Sequence, residues 1–251
     1  MYHRVIKNGE VEGTEFVVNV DVFERQLQYF AEQGYYTPPL AHVLGNCYRS
    51  VGKSHKPLII TFDDGYVDTL ENAAPLLRQY GFSAIVFVVS DFSRRTNWWD
   101  ARKGIAQAQL MGKSEVRSLH EMGIEIGSHG WSHRSLPLLN DEELTVEFDR
   151  SRKTTEDVVG QSVRYFAYPY GEVDERVEAA ARRAGYVCAF ATNSGPMFFH
   201  SDLFQIRRTN IRNRSGKTYL YTKLSGIEKT LRYGWSVTKK LIGKKPKYNS
   251  T

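Results

Sequence analysis

The sequence predicts an α/β fold, a parallel barrel of about eight or fewer βα units. Apolar, β-rich runs alternate with helix-patterned stretches through most of the chain. A glycine closes one helical stretch after another just before the next apolar run. A length of 251 residues with 41% hydrophobic content is enough to bury a core of that size.

The first helical stretch is "FVVNVDVFERQLQYFAEQGY", with Phe23, Leu27 and Phe30 at helical spacing and a stop at Gly34. The strand "PLIITF" follows, then the helix "DTLENAAPLLRQYGF" closed by Gly81, then the strand "SAIVFVVS". The rhythm repeats with helix "SEVRSLHEMG", strand "IEIGS", helix "DEELTVEFDRSRKTTEDVVG" and strand "VRYFAYPYG". Helix "DERVEAAARRAG", strand "YVCAFAT" and a last strand "FQIRRTNI" complete it. No internal repeat is evident.

No run approaches the roughly 20 apolar residues of a membrane span. The chain opens "MYHRVIKNGEVEG", polar at once, without a basic-then-apolar leader. A cytoplasmic location is the expectation, or an extracytoplasmic one if a leader has been removed. Cys47 and Cys188 stand alone, which argues against both a disulfide framework and a zinc knuckle. The net charge of +6 is unevenly placed. From Arg207 onward 13 Lys and Arg face the single acid Glu228, so that stretch carries +12 and residues 1–206 carry −6. A basic end on an acidic body marks contact with an anionic surface. No nucleic-acid fold signature accompanies it, which argues against nucleic acid as that partner.

In such barrels chemistry sits where strands end, and the strand ends here are polar. "LIITFDDGYVD" sets Asp63 and Asp64 directly after an apolar run, where two adjacent buried carboxylates require a cation or a proton between them. "GSHGWSHRSL" supplies His129 and His133 four residues apart. Two imidazoles and one carboxylate make a three-ligand set with open positions, suited to a divalent hydrolytic metal, zinc first. Asp64 is assigned as the carboxylate ligand and Asp63 as the general base beside it. The alternative, in which "DDG" caps a helix and the histidines are incidental, accounts for one aspartate but not for the second or for the pair.

"TFDDGY", "GSHGWSH" and "FAYPYGE", in this order and each led by a strand, resemble the first three motifs of the polysaccharide deacetylases, carbohydrate esterase family 4, also called the NodB homology domain. The resemblance runs from "MYHRV" to "IRRTNI". It implies a distorted (β/α) barrel, here of about seven to eight βα units, that removes N- or O-acyl groups from amino-sugar glycans with a divalent metal. It implies Asp63 as base, Asp64, His129 and His133 as metal ligands, the Tyr170 backbone N–H as an oxyanion donor, and Pro169 beside it at the substrate. Two features of the family pattern are missing. Ala167 stands where the family carries the arginine that tethers the base, and neither the Asp-Trp motif nor the late Leu-x-x-His motif is visible. With its "YHRV" opening, the chain is more similar to the poly-N-acetylglucosamine and exopolysaccharide deacetylase subgroup. The acid that protonates the leaving amine is left open between His3, His200 and a water at the metal.

"RRTNWWDARKG" offers Trp98 and Trp99 as flat faces for a pyranose, with Asp100 as a substrate contact or a helix cap, and Trp131 inside the histidine motif is a further cleft wall. The substrate expected is an acetylated glycan or lipid-linked saccharide. A glycosidase using Asp63 with another carboxylate and a carbohydrate-binding barrel without catalysis are the competing readings. Residues 1–213 form the expected catalytic domain and 214–251 a basic extension. There Leu220, Leu224, Ile227, Leu231 and Trp235 make a helical stripe that could lie on an anionic membrane or pack on the barrel.

Overall fold

The computed structural model describes residues 1–7, 16–45, 56–103, 106–192 and 202–224. Met1–Asn213 is one compact unit and Arg214–Thr251 a second. In the first, strand β1 (Arg4–Ile6) pairs in parallel with β2 (Val17–Asn19), which runs directly into helix α1 (Val20–Glu32). The helix predicted from Phe16 therefore begins later, because the β-branched Val17 and Val18 are buried in the strand pair. Phe23, Leu27 and Phe30 form its buried stripe, as the spacing predicts. Strand β3 (Tyr35–Tyr36) pairs with β4 (Lys56–Pro57), with the short helix α2 (Leu40–Leu44) between them in sequence.

The main sheet is built from β5 (Thr61–Phe62), β6 (Ile85–Val88), β7 (Glu125–Ser128), β8 (Tyr165–Ala167), β9 (Cys188–Ala191) and β10 (Ile206–Arg207). All six run parallel, neighbours in space in the same order as in sequence. Residues 1–3 continue the ring past β5: Tyr2 N–H donates to the Thr61 carbonyl at 2.8 Å and Asp63 N–H to the Tyr2 carbonyl at 3.0 Å. On the other side, the Ile211 N–H donates to the Met1 carbonyl at 2.9 Å, so this opening segment joins β5 to the chain that leaves β10. The sheet is thus a curled parallel barrel of six strands among the described residues, with a short seventh stave at the seam. That stave is the "YH" of the opening, too short to read as a strand from its pattern.

Strand side chains alternate between two layers. Ile85, Phe87, Tyr165, Ala167, Cys188, Phe190 and Ile206 point inward and pack with Leu40 and Val43. Phe166, Tyr168, Ala189 and Ala191 point outward against Leu144, Phe148, Val177 and Ala181. The outer helices include α3 (Ala74–Gln79) and α4 (Lys113–Glu121). Helix α5 (Asp141–Thr145) is opened by an Asn140/Glu143 capping box. The single helix predicted over 141–160 is interrupted: a wide π turn at Val146–Arg150 separates α5 from α6 (Ser151–Val159). The wide turn brings both Glu147 and Phe148 against the barrel, and both are buried. Helix α7 (Glu175–Arg183) starts at Asp174, whose carboxylate accepts the Val177 N–H at 2.8 Å.

In the second unit, helix α8 (Lys217–Leu224) is described. Ile227, Leu231 and Trp235 of the predicted stripe lie outside the described residues. No described helix is long and apolar enough to cross a membrane.

Inside the barrel β7 offers Gly127 where its neighbours offer large side chains, and a Cβ there would collide with the Phe87 ring and lie 3.1 Å from the Tyr165 carbonyl. Gly127→Ala is therefore expected to overpack the core and lower stability by about 1–3 kcal/mol, read as a reduced urea midpoint.

Candidate active site

Asp63 and Asp64 end β5, buried to 2% and 6% exposure. Neither caps a helix, since the turn that follows starts at Asp68. Each carboxylate is compensated in its own way. Asp63 takes a two-pronged salt bridge from Arg208, with Nη1 to Oδ1 at 2.6 Å and Nη2 to Oδ2 at 2.7 Å. Arg208 is itself buried, donates to Thr61 Oγ1 at 3.3 Å, and lies over the Phe87 and Phe190 rings at 5.5 and 5.6 Å. Burial raises the Asp63 pKa, but the guanidinium's charge and hydrogen bonds outweigh it and hold the carboxyl below its ordinary value.

Arg208 is the first of the site's residues that sequence reasoning missed. It stands in "FQIRRTNI", counted there with the basic C-terminal stretch, yet it supplies the tether whose usual position is taken by Ala167. Ala167 has a different part to play. Its carbonyl accepts from His129 Nδ1 at 2.8 Å. A carbonyl can only accept, so Nδ1 carries the proton and Nε2 turns its lone pair toward the site.

That lone pair meets Asp64. Its Oδ1 lies 3.3 Å from His129 Nε2 and 3.2 Å from His133 Nε2, and the three ligand atoms fall within 4.8 Å of one another. Asp64 Oδ1 is buried and has no hydrogen-bond partner among the described residues. Converging lone pairs around an orphaned carboxylate oxygen are unfavourable unless a proton or a metal ion sits between them. The donor set and its geometry fit a divalent cation. With a proton in place of the ion, burial raises the Asp64 pKa, but hydrogen bonds from His129 and His133 outweigh it and hold the carboxyl well below the carboxylate range. Burial also lowers both histidines; the contacts with Asp64 and Asp63 outweigh it at His129, which is raised overall, whereas at His133 burial prevails over the contact with Asp64 and the pKa is lowered.

The backbone around these residues is unusual. Asp64, His133 and Tyr170 are the non-glycine residues with positive φ among those described, at 71°, 55° and 59°. The histidine loop is pinned from behind by Glu147, 3% exposed on the π turn. Its carboxylate accepts the Trp131 N–H at 2.8 Å, the Ser132 N–H at 3.0 Å and the Ser132 hydroxyl. Glu147 carried no motif signal in the sequence.

The other predicted residues divide. Trp99 stacks on the His133 ring at 4.0 Å, and Tyr170 meets the same ring edge-on at 4.7 Å. Asp100 accepts from Asn97 Nδ2 at 3.2 Å, and its charge acts on His133 and Tyr170. Pro169 is buried next to Gly130 of the histidine loop. Trp98 packs edge-on against Trp99 at 4.8 Å and, with Trp131, lines a separate cavity. His3 is brought in by the seam stave: its Nδ1 is buried without a partner among the described residues, and the charges of Asp64, Asp63, Arg208 and His129 all act on it. Burial lowers its pKa below that of an ordinary histidine. His200 lies outside the described residues. Tyr66, also unforeseen, is buried beside Asp64, and burial together with that carboxylate pushes its pKa up.

A parallel barrel with an arginine-tethered aspartate next to an Asp–His–His set defines a hydrolase site of the NodB type. Residues 50–189 match the polysaccharide deacetylase family, and the chain belongs to that family. YxkH of Bacillus subtilis is 25% identical over 211 residues, 84% of this chain and 70% of that one. The poly-β-1,6-N-acetyl-D-glucosamine N-deacetylase of Staphylococcus aureus is 23% identical over 228 residues, 82% of this chain and 76% of that one. In fold, the chain is similar to the Streptococcus pyogenes deacetylase PplD in complex with acetate, with a TM-score of 0.75, 23% identity, and coverage of 89% of this chain and 95% of that one.

Two outcomes follow from the tethers. Arg208→Met leaves Asp63 buried and unpaired, so a loss of about 3–5 kcal/mol is expected at neutral pH. The tether's contribution is present above the ordinary carboxylate pKa and lost as pH falls through the depressed one. In the variant the guanidinium no longer opposes burial and the Asp63 pKa moves up, so the gap between the two proteins should narrow on acidification; denaturant titrations across pH measure it. Glu147→Ala frees the Trp131 and Ser132 N–H groups behind the histidine loop and should weaken divalent-metal affinity about 10- to 100-fold by chelator competition. Glu147→Gln, whose amide oxygen can still accept both, should recover most of that affinity.

Proposed function

We propose that this protein hydrolyses acyl groups, N-acetyl first and O-acetyl as the alternative, from an amino-sugar polysaccharide or lipid-linked glycan. The observation that carries this reading is the adjacency of two carboxylates with opposite arrangements. Asp63 is ionised and tethered by Arg208, whereas Asp64 is turned into a two-histidine ligand set.

Asp64, His129 and His133 would hold the cation, zinc being the first choice for two imidazoles and a carboxylate. When bound, it supplies Lewis acidity toward an acyl oxygen and lowers the pKa of water. Asp63 takes the proton of the attacking water, and Arg208 keeps it ionised and aimed until it does so. Of the two candidate histidines, His3 lies among the described residues. Its Nδ1 is unpartnered among the described residues, and the charges of Asp64 and Asp63 favour its protonated form against the burial that lowers its pKa, which suits a group that passes a proton to the leaving amine. The Tyr170 backbone, held left-handed at the end of β8, is the candidate donor to the developing oxyanion. Trp99, stacked on His133, excludes water from that side of the ligand set and offers its edge to the sugar.

A glycosidase would need a second free carboxylate facing Asp63. Both Asp63 oxygens are instead engaged by Arg208, which suits a held base and not a nucleophile. The arginine also removes the main reason for reading the barrel as a binding module.

Acetate release from N-acetylglucosamine oligomers, with and without chelator, is the test. Asp63→Asn should retain zinc at wild-type stoichiometry and lose about 10²- to 10⁴-fold in turnover. Activity of the unaltered protein should fall as pH drops through the depressed Asp63 pKa, where the base becomes protonated. Near-normal turnover by Asp63→Asn, or turnover indifferent to chelation, overturns the assignment.

A further inference from the structure

Beside the histidine loop lies a cavity of about 580 Å³, within the range of small-molecule sites. Trp131 and Ser132 of that loop form one wall, and Trp98 forms another. Trp98 packs on Trp99, and Trp99 on His133, so the cavity and the ligand set lie on two sides of one aromatic pair.

The lining has the chemistry of a pyranose site. The Trp131 indole carries the Arg150 guanidinium over its ring at 3.8 Å, which fixes the orientation it presents to the cavity. Arg94 lies over Trp98 at 4.8 Å and pairs with Asp91 at 3.5 Å, and Arg134 pairs with Glu143 at 2.9 Å. Flat apolar rings beside groups offering both donors and acceptors suit a sugar, with its CH face and its ring of hydroxyls. Charge narrows the class further. Asp91, Glu142, Glu143 and Glu147 outnumber Arg94 and Arg134 along the wall, which opposes a uronate or phosphate and admits a neutral or ammonium-bearing sugar.

We propose that this cavity is a glycan subsite. It holds one pyranose of an amino-sugar chain while a nearby unit of the same chain presents its acyl group at Asp64, His129 and His133. The proposal rests on the deacetylase reading for the identity of the chain, but its test does not require turnover. Val146 lines the cavity from the π turn, 49% exposed, so Val146→Trp adds bulk at its solvent side. Arg94→Ala removes the cation over Trp98 from the opposite side.

Calorimetric titration of the zinc-loaded full chain with N-acetylglucosamine dimer and hexamer, β-1,4- and β-1,6-linked, measures the subsite directly. Glucosamine hexamer separates the ammonium-bearing sugar from the neutral one. The unaltered protein should bind a hexamer more tightly than the dimer. Each variant should lose about tenfold for that hexamer, the scale of one lost stacking contact, with dimer affinity unchanged. Wild-type hexamer affinity in both variants, or hexamer binding no tighter than dimer in the unaltered protein, overturns the subsite. Failure of the unaltered protein to release acetate from oligomers it binds would overturn the deacetylase reading and leave the subsite standing.

Discussion

Burying two neighbouring carboxylates at the end of one strand is the constraint around which this barrel is arranged. Each ionised carboxylate removed from water costs several kcal/mol unless it is paired, and Asp63 and Asp64 cannot share a single partner without losing their separate roles. The fold resolves the conflict by sending them to different elements. Asp63 reaches across the seam to Arg208 after β10, and Asp64 turns, in a left-handed conformation, toward the histidines after β7. The seam is therefore a functional join. Only because residues 1–3 draw β5 toward the chain beyond β10 does the last strand's arginine lie against the first strand's aspartate, with His3 carried into the same space.

The strain of the site is paid where the restraints are densest. Positive φ at a non-glycine residue is tolerated by Asp, less readily by His and least by Tyr, at roughly 1–3 kcal/mol for the less favourable cases. His133 bears it directly after Trp131 and Ser132, whose N–H groups are both fixed by Glu147. That glutamate is available because the outer helix widens into a π turn and exposes two successive residues to the barrel. A regular helix over the same sequence would direct Phe148 into the core and leave Glu147 to one side. A local irregularity in the second layer thus sets the position of a ligand in the first.

What the sequence disclosed and what it withheld follow the same division. Periodicity and glycine stops were enough to locate the strands of the main sheet and most of the outer helices, though not their bounds or the short elements before β5, and the convergence of strand ends brought together Asp63, Asp64, His129 and His133, because those positions are local consequences of short motifs. Arg208 was invisible for a physical reason. Its partner is 145 residues away, and no local pattern distinguishes an arginine that will be buried from the basic residues that surround it in the chain. Glu147 was hidden similarly, since a helix-periodic stretch shows no sign of where it will widen. The seam stave, three residues long, has no period to read. Trp98 and Trp99, grouped together by adjacency, proved to face two different spaces, as successive residues of a tight 3₁₀ turn do.

Charge balance joins these parts. With the three histidines neutral, Asp63, Asp64 and Arg208 together leave the buried site at −1, an unstable condition for a water-poor space. A divalent cation at the ligand set brings the total to +1. In the proposed reaction Asp63 gives up its negative charge when it takes the proton of the attacking water, and the acyl oxygen gains one, so the total stays at +1 while the charge moves toward the ligand set. Arg208 is essential to that sum although it need touch no substrate. Without it the loaded site would be neutral, and the base would lose the interaction that keeps it ionised. The residue hardest to find in the sequence is therefore the one that sets the sign of the site.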